Sequence, residues 1–238
     1  MIRTILFDLD GTLLPMDQEV FVKIYFGRMA QKLAPHGYDS QALIQGIWKG
    51  TEAMVKNSGE RTNEDAFWLE FSTRLGQKTL EDKPIFDAFY HNEFQQAQAA
   101  CGFHPGAAET IALCRELGLK LILATNPLFP AVATQSRIRW AGLKEEDFEL
   151  VTTYENAHYC KPNPAYYTEI LTSCHLEPAE CLMVGNDVGE DMIARKLGMR
   201  VFLLTDCLIN KANEDISQYP NGSFEELKRF IRSEAEKA

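Results

Sequence analysis

Three short apolar runs, each followed at once by polar residues, most constrain how this chain can fold. The runs cover residues 5–7, 119–124 and 181–184. The polar residues that follow them are Asp8 and Asp10, then Thr125 and Asn126, then Asn186 and Asp187. Runs of this length, ended by turn-forming residues, predict buried β-strands. Polar side chains therefore gather at the ends of three strands.

Segments with helical spacing separate these runs. Helices are predicted over residues 105–117, up to Trp140, after Lys161 and Pro162, around Met192 to Leu197, and at the carboxyl terminus. A weaker strand is predicted at residues 148–153, and a last strand at residues 199–204. Strands that alternate with helices predict an α/β fold, a three-layer, doubly wound parallel sheet of Rossmann-like type.

The segment after the first strand differs from the rest because it contains no convincing strand up to residue 100. Helical patterns begin at Asp17, at Ser40 as a possible cap, at residues 62–65 and at Pro84. We therefore predict a catalytic core of residues 1–15 and 101–238, with residues 16–100 inserted as an all-helical cap. The aromatic residues of the insertion, Trp48, Phe67, Trp68 and Phe71, are expected to form the core of the cap.

Composition narrows the classes of partner and compartment. The chain has 238 residues, 45% of them hydrophobic, and a formal net charge of −10 at pH 7, with Lys and Arg scattered. We therefore expect no nucleic-acid partner, and no run is long enough for a membrane span. Its six cysteines show neither a CxxC pair nor zinc-ligand spacing. Reduced thiols and an interrupted amino-terminal apolar run predict a cytoplasmic protein.

The acidic residues at the strand ends predict a cation site. Residues i and i+2 of an extended chain point the same way, so Asp8 and Asp10 start on one side. Asp191 follows Asp187 by four residues and would return to the same helical face. Oxygen ligands without histidine favour Mg²⁺. Lys161 would supply a fixed positive charge nearby, and Thr125 would help to hold a phosphate at a helix start.

These residues together resemble a known family. Four segments resemble the four motifs of the haloacid dehalogenase (HAD) superfamily in order and spacing. They are Asp8-Leu9-Asp10-Gly11-Thr12, Thr125-Asn126, Lys161-Pro162, and Gly185-Asn186-Asp187 with Asp191. The helical insertion resembles that superfamily's cap of the first type. Four motifs in order are far more specific than one.

The resemblance implies catalytic roles. Asp8 would be the nucleophile that forms an aspartyl phosphate, and Asp10 the general acid and then the general base. Thr125 and Asn126 would bind the phosphoryl group. Lys161 would offset negative charge on the nucleophile and the phosphate.

The resemblance also implies a metal site. Asp8, the backbone carbonyl of Asp10 and Asp187 would ligate Mg²⁺. Asp191 would reach the metal through water or hold the lysine, and Asn186 would orient the other ligands.

The sequence therefore predicts a Mg²⁺-dependent phosphohydrolase that acts on a small phosphorylated metabolite. Two alternatives stay open: a phosphosugar mutase of the same superfamily, which keeps both motif aspartates, and a non-catalytic protein that binds a metabolite or partner. Asp10 argues against a dehalogenase or a phosphonate-cleaving enzyme, which usually lack the second carboxylate. The motifs fix neither the substrate nor the oligomeric state.

Overall fold

A single parallel sheet organises the chain. The computed structural model describes residues 1–236. Its strands are β1 (Thr4–Phe7), β2 (Lys120–Leu123), β3 (Leu150–Val151), β4 (Cys181–Gly185), β5 (Arg200–Leu204) and β6 (Asn221–Gly222). Their spatial order is β3-β2-β1-β4-β5-β6, and every pairing is parallel. The predicted doubly wound α/β fold is confirmed, and the strand order reverses beside β1, where such sheets bind ligands.

Nine α-helices accompany the sheet in the described part of the chain. They are α1 (Gln18–Leu33), α2 (Ser40–Val55), α3 (Asn63–Leu75), α4 (Lys78–Glu81), α5 (Lys83–His91), α6 (Pro105–Glu116), α7 (Ala131–Trp140), α8 (Pro164–Ser173) and α9 (Phe224–Ala235). None of these helices combines the length and apolar character needed to cross a bilayer.

Two apolar cores lie on opposite faces of the sheet because successive strand residues point to opposite sides. Ile5 and Phe7 belong to a core shared with α6, α7 and α9. Leu6, between them, belongs to a second core with Tyr166 of α8. The result is three layers, with β1 at the centre and buried on both faces.

The carboxyl ends of β1, β2 and β4 lie level with each other. Phe7 is in register with Leu123 of β2 and with Val184 of β4. The polar residues after these three strands therefore start at nearly the same height. This register is what brings residues far apart in sequence to one edge.

The inserted segment is helical, as predicted, and connects to the core through two adjacent chain crossings. The Asp17 amide donates to the Ala100 carbonyl at 3.0 Å, and the Gly102 amide donates to the Pro15 carbonyl at 2.8 Å. These two hydrogen bonds hold the start and the end of the helical segment side by side. A second connection runs from Asn63, whose amide donates to the Ala157 carbonyl of the core at 2.8 Å.

Several local predictions differ from the structure. Helix α2 is capped by Asp39, whose carboxylate accepts from the Ala42 amide at 2.8 Å, and not by Ser40. The predicted helix after residue 191 is a 3-10 helix, Met192–Leu197. Strand β6 was not predicted, because a two-residue edge strand of Asn and Gly carries no apolar pattern.

The prediction that all four aromatic residues form the cap core is wrong for Trp48. Trp68 and Phe71 are buried, but Trp48 is 51% exposed. Its helical spacing matched the apolar face of α2, but one side of the indole remains open to solvent. Trp48 packs on Phe26 with a ring-centroid distance of 5.2 Å.

Phe71 should carry much of the stability of the cap. Its ring is fully buried and meets Phe86 edge-on at 5.6 Å. We expect Phe71→Ala to lower the free energy of unfolding by about 3–5 kcal/mol, because the cavity it leaves adds to the lost burial. Leu69→Ala, on the same helix but 54% exposed, should change it by less than about 0.5 kcal/mol. Urea denaturation measures both, and equal losses would contradict this account of the cap.

Candidate active site

A buried lysine lies at the centre of the acidic strand ends. The Lys161 side chain is 1% exposed, and its Nζ lies 2.9 Å from Asp8 Oδ1 and 2.7 Å from Asp191 Oδ1. Burial alone would lower the pKa of Lys161, but the carboxylates of Asp191 and Asp8 raise it well above its ordinary value. The lysine is therefore a permanent positive charge. Its peptide bond to Pro162 is cis.

Asp8 is held by the strand and by a hydroxyl. Its amide donates to the Val184 carbonyl at 2.9 Å, which continues the pairing of β1 with β4. Thr12 Oγ1 lies 2.9 Å from Asp8 Oδ2 and 3.0 Å from Asn186 Oδ1. Both carboxylate oxygens of Asp8 are thus positioned, one by Lys161 and one by Thr12.

Asn186 connects Thr12 to the chain at Cys207. Its Nδ2 donates to the Cys207 carbonyl at 2.7 Å. Gly11, in the turn after Asp10, has a φ of +87°, and a Cβ there would lie 2.3 Å from Asn186 Nδ2. Only glycine allows this close approach. Asn186 therefore lines the cavity and also holds the Thr12 hydroxyl in place.

Asp191 depends on a second close approach. Its Oδ2 accepts from the Asp187 amide at 3.0 Å while its Oδ1 accepts from Lys161. A Cβ on Gly185 would lie 2.1 Å from Asp191 Oδ2. Burial raises the pKa of Asp191, and the charge of Lys161 opposes that shift. Glycine at the end of β4 is therefore a condition for the ion pair.

Asp10 is held by an arginine that sequence reasoning missed. The side chain of Arg137 in α7 is 1% exposed, and its Nη1 contacts Asp10 Oδ2. Its Nη2 donates to Thr134 Oγ1 at 3.1 Å, and its guanidinium lies 4.6 Å from the Phe129 ring centroid. Burial raises the pKa of Asp10, against the effect of Arg137, and the charge of Asp8 adds to the rise.

The predicted residues share one cavity, except Lys161, which contacts two of them from inside the core. The cavity measures about 230 Å³. Its walls include Asp8, Asp10, Thr125, Asn126, Asn186, Asp187 and Asp191, together with Glu190. The four carboxylates expected to converge therefore do line a common space.

Asn126 has a different environment from the one expected for a phosphate ligand. Its Oδ1 accepts from the Lys161 amide at 3.2 Å, and its Nδ2 donates to Glu190 Oε2 at 3.0 Å. The side chain thus joins the loop of Lys161 to the loop after β4. Thr125 is buried, and its carbonyl accepts from the Tyr166 hydroxyl at 2.9 Å, which fixes the end of β2.

The donor set fits Mg²⁺ in an incomplete site. All the candidate ligands are oxygens, and Asp187 Oδ1 is fixed by the amides of Gly189 and Glu190 at 2.8 and 3.0 Å. Among residues 1–236 no three His, Cys, Asp or Glu side chains lie close enough to hold a metal by themselves. Mg²⁺ usually keeps several waters and takes one or two carboxylates plus substrate oxygens. Asp8, Asp187 and the Asp10 carbonyl suit that pattern.

Comparison with known proteins decides the family. A family model described as haloacid dehalogenase-like hydrolase matches residues 2–198. The chain belongs to the HAD-like hydrolase family. Phosphoglycolate phosphatase of Nitrosospira multiformis is 24% identical over 203 residues, which cover 84% of this chain and 82% of that protein.

Solved structures show the same fold. The 2-haloacid dehalogenase of Pseudomonas syringae pv. tomato matches with a TM-score of 0.65 and 17% identity, over 98% of this chain and 99% of that one. The HAD-hydrolase YfnB of Bacillus subtilis, bound to magnesium, matches with a TM-score of 0.56 and 17% identity, over 97% and 98%.

Two residues of this HAD hydrolase's site were not predicted. Arg137 falls on the buried face of α7 beside Ala133 and Ile138. An arginine on an apolar face is a readable signal, since buried charges need partners. Glu190 lies between Asp187 and Asp191, and only its partial burial and its contact with Asn126 distinguish it from a surface residue.

The Lys161–Asp191 pair should fail when Gly185 gains a side chain. We expect Gly185→Ala to lower the free energy of unfolding by about 3–5 kcal/mol, because the added methyl displaces one partner of a buried ion pair. Gly189→Ala, in the following loop, is the matched control, since its Cβ would meet Asp187 Oδ1 at an ordinary 3.4 Å. Chemical denaturation of both variants measures the difference. Equal stability of the two variants would show that the Asp191 side chain can move away from the added methyl group without losing its ion pair.

Proposed function

We propose that this HAD hydrolase is a Mg²⁺-dependent phosphatase that releases inorganic phosphate from a small phosphomonoester. One observation carries the proposal: Asp8, braced by Lys161 and Thr12, lines the same cavity as Asp10, which is held by Arg137. Two differently supported carboxylates suit a nucleophile and a proton donor. The phosphatase named among the relatives supports the same reaction class.

The first step forms an aspartyl phosphate. A carboxylate oxygen of Asp8 bonds to phosphorus while the bond from phosphorus to the leaving oxygen breaks. Asp10 gives its proton to that oxygen, so the alcohol leaves neutral. The positive charge of Lys161 offsets the approach of an anionic carboxylate to an anionic phosphate.

The second step reverses the role of Asp10. Its carboxylate takes a proton from water as the water oxygen attacks phosphorus. The bond from phosphorus to Asp8 breaks, and inorganic phosphate and free Asp8 result. Burial raises the pKa of Asp10, which favours the protonated form that the first step requires.

Asp8, Asp187 and the backbone carbonyl of Asp10 would hold Mg²⁺. When bound, the ion supplies positive charge that orients the phosphate and balances the acidic cavity. The all-oxygen donor set supports this choice, and the fold neighbour bound to magnesium agrees with it. Thr125 lines the cavity where it can reach phosphate oxygens.

Asp8→Asn tests the nucleophile. We expect phosphate release from 4-nitrophenyl phosphate with Mg²⁺ to fall by about a thousandfold or more, because an amide cannot form the phosphoenzyme. Acid-quenched protein should carry phosphate from labelled substrate only when Asp8 is present. Chelation of Mg²⁺ should abolish release by the wild type.

Asp65→Asn, at an exposed position in the first turn of α3, is the control and should retain full activity. Equal release by the Asp8→Asn variant would remove Asp8 from the mechanism. Transfer of phosphate between two positions of one sugar, with little free phosphate, would favour the mutase instead.

Arg137→Met tests how Asp10 is positioned. We expect kcat/KM for ethyl phosphate, which reports formation of the phosphoenzyme and whose alkoxide needs a proton to leave, to fall by about a hundredfold. For 4-nitrophenyl phosphate, whose leaving group departs as a stable phenolate, kcat/KM should fall by less than about fivefold. Arg139→Met, exposed on the same helix, should leave both rates unchanged. Equal losses for both substrates would mean that Arg137 only stabilises the fold.

A further inference from the structure

A second cavity adjoins the acidic one. It measures about 170 Å³ and lies between the cap helices and the loop before α7. Val22 of the cap and Leu128 and Phe129 of the core line both cavities. A group attached to a phosphate at Asp8 can therefore extend past Phe129 into this second space.

The wall of the second cavity is largely aromatic. It includes Tyr25, Phe26, Trp48, Phe67, Trp68 and Tyr90. The hydroxyls of Tyr25 and Tyr90 lie 3.0 Å apart, so one of them donates a hydrogen bond to the other within the wall. Rings at these positions offer a ligand apolar contacts and aromatic faces.

Neither cavity offers a fixed cation to a second anionic group. No Lys, Arg or His is among the described residues that line the aromatic cavity, and its one carboxylate is Asp87. Lys83 lies over the Trp68 ring but pairs with Glu64, outside the lining. In the acidic cavity the lining cation is Lys211, which is exposed to solvent. A buried anionic leaving group would stay unpaired, which is costly.

From these observations we infer that the aromatic cavity is the leaving-group site and that it takes an uncharged, apolar group. The inference rests on the proposed phosphatase activity and narrows its substrate class. An apolar cavity of about 150 Å³ holds one benzene molecule, so this cavity suits a single aromatic ring or a short branched alkyl chain. The preferred substrate is then an aryl-methyl or alkyl phosphate, and not a phosphorylated acid such as phosphoglycolate.

Binding without turnover tests the inference independently of catalysis. Benzylphosphonate, methylphosphonate and phosphonoacetate share a phosphonate that the proposed reaction does not cleave. We expect the Kd of benzylphosphonate, by calorimetry with Mg²⁺, to be at least about tenfold below those of the other two, because only its ring is buried. Equal affinities, or tighter binding of phosphonoacetate, would overturn the inference.

Turnover provides the second measurement. Benzyl phosphate, ethyl phosphate and phosphoglycolate all release an alkyl alcohol, so their intrinsic reactivities are close. We expect the highest kcat/KM for benzyl phosphate, by about tenfold or more. If phosphate is released equally from all three, the apolar site is wrong and the phosphatase stands. If none releases phosphate while benzylphosphonate binds tightly, the phosphatase is wrong and the apolar site stands.

Variants of the cavity wall locate the effect. Trp48→Ala should cut the preference for benzyl over ethyl phosphate by about fivefold, since half-exposed Trp48 lines the cavity and its removal should not unfold the cap. Leu69→Ala, equally exposed but outside the lining, is the matched control and should keep the preference. Thr51→Lys, which adds a cation to the wall, should shift the preference toward phosphoglycolate. An unchanged preference in both cavity variants would contradict the assignment.

Discussion

The buried ammonium of Lys161 is the interaction on which the site depends. Asp8 and Asp191 approach it to within 2.9 and 2.7 Å, and neither would be stable there without it. Around this centre each further contact has a reason: Gly185 leaves room for Asp191, Asn126 fixes the lysine loop, and Thr12 orients Asp8. The charged groups of Lys161, Asp8 and Asp191 are therefore held in fixed positions beside a cavity that a ligand can enter.

The main features of the fold and most of the acidic cavity were predictable from sequence because they rest on short-range patterns. Apolar runs that end in Asp8, Thr125 and Asn186 specify strands and their ends, and parallel pairing then brings those ends level. The helical insertion followed from spacing alone. The four motifs indicated the HAD family, which the match to the family model confirms. The catalytic roles that the motifs imply stay predictions.

What could not be predicted depends on packing between distant segments. Arg137 reaches Asp10 across 127 positions in sequence, and no local pattern relates them. Phosphate binding by Asn126 stays a prediction, but the contacts of its side chain with Lys161 and Glu190 could not be predicted. Trp48 has the same spacing as core residues, but the neighbouring helices leave one face of it open. In each case the environment of the side chain depends on which distant segments pack against it.

The paired crossings at Asp17–Ala100 and Pro15–Gly102 divide the chain into an inserted segment and the sheet layers. The residues that line the aromatic cavity from the cap lie on helices encoded between the crossings, whereas the charged groups lie in the sheet layers outside them. Under the proposed leaving-group assignment, substitutions in the inserted helices would change which molecule is accepted while the charged groups stay in place. Substrate preference would then vary through residues 16–100, about a third of the chain, without any change to the charged residues of the sheet.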